Sequence, residues 1–124
     1  KGCALPEYEH YYMRMGVAYA LLRKKNGDEA LRHLGIAKKQ WDNSAEVFYH
    51  LARAHCMKGD VDECATNFEK SLEVAKSLRR PKFLRSHNSL DDWIRRSRTQ
   101  SEFVALRRDK RYAATIKKMK TDDE

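Results

Sequence analysis

Between Phe48 and Ala75 the chain reads FYHLARAHCMKGDVDECATNFEKSLEVA. Apolar and small residues recur there at three- and four-residue steps, broken once by Lys58-Gly59-Asp60. That spacing marks one face of a helix, then a turn, then a second helix. Neither helix can bury its apolar face alone, so the two must pack on each other and on something further. With five Gly and two Pro in 124 residues, and 35% charged residues, the composition suits helices and argues against a turn-rich sheet. The length allows one modest domain with a shared core.

The same pattern stands upstream. A first helix is predicted from about Glu7 to Lys25, with Tyr8, Tyr12, Met15, Tyr19 and Leu22 on its apolar face. Asn26-Gly27 stops it, with Gly27 placed to take the left-handed turn conformation. A second helix follows from Asp28 to about Lys39, with Ala30, Leu31, Leu34 and Ala37 inward. Asn43 or Ser44 caps a third helix, about Ala45 to Lys58. Gly59 ends it, and Asp60-x-x-Glu63 has the capping-box layout for a fourth, to about Ser77. Downstream, Ser89 can cap LDDWIRRS, Thr99-x-x-Glu102 is a second capping box, and Asp109 can start a last helix to about Lys120. The connector RRPKFLRSHN (79–88) holds a Pro that disfavours a continuous fourth helix.

The two helix pairs align as internal repeats. Gly16 sits over Ala52, 36 residues on, and Ala30 over Cys64, 34 residues on. Tyr12, Met15 and Tyr19 sit over Phe48, Leu51 and His55, and Leu34 and Ala37 over Phe68 and Ser71. This resembles the tetratricopeptide repeat (TPR) family, over about residues 8–77. The family pattern is a large aromatic, Leu-Gly/Ala, Tyr, a turn Gly, Ala, an aromatic, Ala. The second unit departs from it at His55 and Ser71, the first at Met15 and Leu34. Phe103-x-x-Leu106-x-x-Asp109-x-Arg111-Tyr112 is similar to a tail that closes many such arrays, with Lys110 where Pro is usual. Trp93, Phe103, Leu106 and Tyr112 would then cover the end of the stack. The resemblance implies an all-α helical-hairpin solenoid over 1–78 and a basic helical extension over 79–124 that packs on the last repeat.

It also implies a concave groove for a peptide or protein, lined by the first helix of each pair. The carried-over positions are His10, Met13, Arg14, Val17 and Leu21, then Glu46, Tyr49, His50, Arg53 and Met57. Of these, Met13, Val17, Tyr49, His50, Arg53 and Met57 are the expected partner-binding residues. The Lys/Asn clamp with which some TPR domains hold a C-terminal carboxylate is absent, since Met13, Val17 and His50 stand in its places. A part-apolar, part-basic groove suits an amphipathic or weakly acidic segment. The reading is therefore a non-catalytic scaffold or adaptor. Tyr8, Tyr11 and Tyr12 crowd the start of the chain, which opens on Lys1. They lead us to expect upstream repeats or self-association there.

Charge supplies the rival reading. Residues 1–78 hold 12 Lys/Arg against 11 Asp/Glu, and residues 79–120 hold 14 against 4. Arg79, Arg80, Arg95, Arg96, Arg107 and Arg108, with Phe83, Trp93 and Tyr112 among them, form a candidate surface for nucleic acid or another anionic surface. A solvated basic face is the plainer explanation. His50, His55, Cys56 and Cys64 contain metal-ligand types, but the repeat register gives Cys64 and His55 to packing, so neither a metal nor a cofactor is expected. No phosphate loop or nucleophile–base–orienter set is present. Three cysteines without framework spacing favour a reducing, intracellular setting, cytoplasmic or inside an organelle.

Overall fold

The computed structural model describes residues 7–78 and 89–121. Among them the fold is all-α, with α1 (Glu7–Arg23), α2 (Gly27–Gln40), α3 (Ala45–Met57), α4 (Val61–Ser77), α5 (Leu90–Ser97), α6 (Val104–Arg108) and α7 (Lys110–Thr121). A 3-10 turn, Ser101–Phe103, leads into α6. Local chemistry sets most boundaries. Ser44 accepts from the Val47 amide at 3.2 Å, and Asp60 from the Glu63 amide at 3.2 Å, each satisfying a first-turn donor. Gly59 ends α3 with φ +84°, a conformation that costs a side-chain-bearing residue and not glycine. Two expectations are corrected. Lys25, with φ 61°, makes the left-handed turn after α1, and Asn26 caps α2 so that Gly27 becomes its first residue. A Cβ on Gly27 would lie 2.9 Å from Cγ of Lys58, so glycine serves close approach there. The Thr99–Glu102 box does not form, because the Glu102 carboxylate is drawn to Arg53 instead.

Helix α1 packs on α2, α2 on α3 and α3 on α4; α5, α6 and α7 lie against α4, and the 3-10 turn lies on α3. The core runs through Ala30, Leu34 and Ala37, then Phe48, Leu51 and Ala52, then Cys64, Phe68 and Leu72, and closes on Trp93, Phe103 and Leu106. Small residues at Ala30, Ala37, Ala52 and Cys64 let backbones approach, while rings fill the wedges. Helix α1 buries Met15 and Leu22 of its predicted face, with Tyr19 half-buried, and departs from that face at Tyr12. Met15, Ala18 and Leu22 are buried, whereas Tyr12 is 60% exposed. No atom lies within 4 Å of a Cβ built on Gly16, so Ala18 is the small residue in the contact. Tyr11, Met13 and Val17 add apolar groups off that face, so periodicity alone does not fix its edge. Hydrogen bonds select it: Tyr11 and Tyr19 both donate to Glu46 of α3, and Tyr11 also meets Ser44 Oγ at 2.7 Å.

Cys56 and Cys64 are joined in a disulfide across the α3–α4 turn, with Cα atoms 5.2 Å apart. This corrects the expectation of separate thiols. The last turn of α3 and the first of α4 face each other once Gly59 reverses the chain, so a separation of 8 residues brings the sulfurs together. Closing so short a loop stabilises the hairpin by about 2.5 kcal/mol on the chain-entropy model. Reduction, or Cys56→Ser with Cys64→Ser, is expected to lower the urea-unfolding free energy by about that amount, with thiol alkylation reporting the pair's redox state. Ala52→Leu is expected to cost about 1–3 kcal/mol by overpacking a fully buried contact, and an unchanged midpoint would refute that contact.

Candidate functional site

The face of α3 that carries Tyr49, His50 and Arg53 is covered by the chain's own C-terminal residues. The Tyr49 ring, 1% exposed, sits 4.7 Å from Trp93 and 5.3 Å from Phe103, centroid to centroid. Its hydroxyl donates to Gln100 Oε1 at 2.8 Å, and burial raises its pKa. His50 is enclosed by Tyr19, Tyr49 and Trp93. Its Nδ1 lies 3.0 Å from Arg53 Nη1, so that nitrogen accepts. Burial first, then the charges of Arg53 and Arg96, hold the imidazole well below its ordinary pKa and therefore neutral at pH 7. Arg53 forks onto Glu102, Nε to Oε1 at 3.0 Å and Nη2 to Oε2 at 3.2 Å. Gln100 Nε2 adds a bond to Oε1 at 2.9 Å. Met57 is half-buried.

The expectation that Tyr49, His50 and Arg53 meet a partner is therefore corrected: residues 100–103 and Trp93 occupy that surface. The sequence placed them on one helix face, and they do share it. Nothing local revealed that residues about fifty positions downstream return to cover it. Glu46, a further carried-over groove position, is likewise engaged by Tyr11 and Tyr19.

The α1 residues behave differently. Met13 is 61% exposed and Val17 44%. They line a shallow groove between α1 and α2 with His10, Arg14, His33, Gln40 and Trp41. Arg14 Nη1 lies 2.9 Å from His33 Nδ1. Burial, then the neighbouring Arg32 and Arg14, push the His33 imidazole below its ordinary pKa, so it accepts from Arg14. The groove thus combines apolar side chains with one guanidinium that has no carboxylate partner among the described residues.

The basic candidates are dispersed in role. Arg79 and Arg80 lie outside the described residues. Arg95 pairs with Asp92 at 2.6 Å, and the Arg96 guanidinium lies 4.6 Å above the Trp93 ring. Arg107 is half-buried and donates to the carbonyls of Ser97 (2.9 Å) and Gln100 (2.7 Å), which ties α5 to the turn before α6. Arg108 is exposed. Two further cations face acids: Arg111 bridges Asp62 and Asp109, and Lys118 meets Glu69 at 3.0 Å. Hydrogen bonds from Arg111 hold the Asp109 carboxyl down to about 2.

Among the described residues no group of three or more His, Cys, Asp or Glu is placed to hold a metal ion. Among the same residues no helix is long and apolar enough to cross a membrane. No protein-family model matches this chain, and no curated protein or solved structure matches it.

The Arg53–Glu102 pair generates a pH prediction. Burial raises the Glu102 pKa, but the Arg53 fork and the Gln100 bond outweigh it and leave the carboxyl below its ordinary 4.5. Its contribution is therefore complete above the unfolded value and is lost as pH falls through the lower folded value. Glu102→Gln should cost about 3 kcal/mol at neutral pH by leaving Arg53 covered and unpaired, and should flatten the acid limb of the stability profile. Urea unfolding at about pH 7 and about pH 3 measures both. Changing Tyr49 and Arg53 together to Ala should loosen the C-terminal helices, seen as lost near-ultraviolet dichroism of Trp93.

Proposed function

We propose that this chain is a non-catalytic adaptor of the TPR type that holds a segment of another protein. In this reading residues 1–78 are two repeats and residues 79–124 a helical extension that fills the second repeat's share of the groove. The observation that carries the reading is the contrast between equivalent positions. Tyr49 and Arg53 of α3 are covered by the chain itself, while Met13 and Val17, their counterparts on α1, stand 61% and 44% exposed. Half of such a groove is filled and half is open. Large apolar side chains left together on a surface mark contact sites. The Cys56–Cys64 bond favours an oxidising compartment over the reducing cytosol.

The rival, nucleic-acid or anionic-surface binding through residues 79–120, draws less support. Arg95, Arg107 and Arg111 are committed to partners within the fold. A phosphate-binding stripe needs its cations available.

Affinity capture from native extract separates the two. A Met13→Glu/Val17→Glu variant should lose the captured protein by about tenfold or more, and an Arg95→Glu/Arg108→Glu variant should retain it. Loss with the second variant alone, in folded protein by circular dichroism, would move the function to the basic surface.

A further inference from the structure

Helix α1 has two apolar sides. Met15, Ala18 and Leu22 are spent on the core. Tyr12, Met13 and Val17 form a second strip, 60%, 61% and 44% exposed. Gly16 lies within this strip, and no atom stands within 4 Å of where its Cβ would be. The helix surface there is a notch between side-chain ridges. Ridges spaced four residues apart, at 12 and 16 and at 13 and 17, accept the ridges of another helix.

The charge beside the strip defines that helix further. Among the described residues, the groove next to it is lined by His10, Arg14 and His33 and carries no acidic side chain. Arg14 is held toward the groove by His33 and has no carboxylate partner among the described residues. The molecule already contains one solved instance of the same problem. On α3, apolar Tyr49 beside cationic Arg53 is covered by a short helical segment that presents Phe103 next to Glu102, ring to ring and carboxylate to guanidinium. A face of the same make-up on α1 calls for the same chemistry. A second copy of this chain does not supply it through this face, which would oppose Arg14 with its own basic groove on a chain of net charge +8.

Resting on the adaptor reading, we propose that the outer face of α1 docks an amphipathic helix of a partner protein whose apolar stripe is flanked by carboxylates. Tyr12, Met13 and Val17 take the stripe, Gly16 admits its closest residue, and Arg14 takes a carboxylate.

The test uses the full chain and two synthetic helical peptides, alike in a Leu stripe at three- and four-residue spacing. One is flanked by Glu and the other by Lys. The Glu peptide is expected to bind about tenfold tighter than its Lys twin, and more weakly as salt is raised. Met13→Glu/Val17→Glu should reduce that binding about tenfold or more. Arg14→Gln should narrow the preference between the two peptides without abolishing binding. Equal binding of both peptides, or of neither, overturns the proposal. So does a concentration-dependent dimer that Met13→Glu/Val17→Glu dissociates, since the occupant is then a second copy. If the protein captured from extract still depends on Met13 and Val17 while the Glu peptide fails, the adaptor reading stands and the acidic-helix chemistry falls.

Discussion

The fork from Arg53 to Glu102 is the interaction on which the second half of the molecule depends. It joins positions 49 residues apart, with both side chains largely withdrawn from solvent. Around it, Tyr49 is held by Trp93 and Phe103, and Phe68 by Phe103 and Tyr112. The rings supply the apolar burial, and the ion pair fixes how the covering segment is set on α3. A buried guanidinium is tolerable only because two carboxylate oxygens meet it in fork geometry. Without Glu102, the same burial would leave an uncompensated charge at the centre of the contact.

Helix α3 is consequently the hub. On one side Glu46 receives the hydroxyls of Tyr11 and Tyr19 from α1; on another Cys56 is bonded to Cys64 of α4; on a third Tyr49 and Arg53 take the C-terminal segment. Each attachment uses a polar or covalent link beside apolar packing, and so has a defined rotation as well as an attraction. For function the outcome is that Glu46, Tyr49, His50 and Arg53 of α3 are engaged within the chain. The proposed recognition surface therefore falls on α1, where apolar side chains and Arg14 remain turned outward.

Much of this was legible in the residues, element by element. The spans of α2, α3, α4 and α5, the stop at Gly59, the caps at Ser44 and Asp60, and the inward set Ala30, Leu34 and Ala37 follow from short-range rules of spacing and backbone conformation, while the burial of Phe68 and Trp93 was implied by the repeat resemblance. The edge of the buried face of α1, at Tyr12, was not legible. Tyr11, Tyr12, Met13, Met15, Val17 and Ala18 offer more than one apolar face, and bonds to Glu46 and Ser44, over thirty positions away, decide between them. Thr99-x-x-Glu102 has the form of a capping box, yet a distant arginine offers Glu102 a stronger partner than a backbone amide.

By itself the sequence determined that the chain is helical, where most helices begin and end, and which side chains seek burial. These properties are set by neighbours within about four residues, the reach of one helical turn. Only the tertiary structure decided what meets each face. It joined Cys56 to Cys64, closed the Tyr49 and Arg53 surface under Glu102 and Phe103, and left Met13 and Val17 exposed. Periodicity states that a face is apolar and carries no information about its occupant. That choice is made among residues far apart in the chain, by the pairing of shapes, charges and hydrogen bonds that a folded core requires.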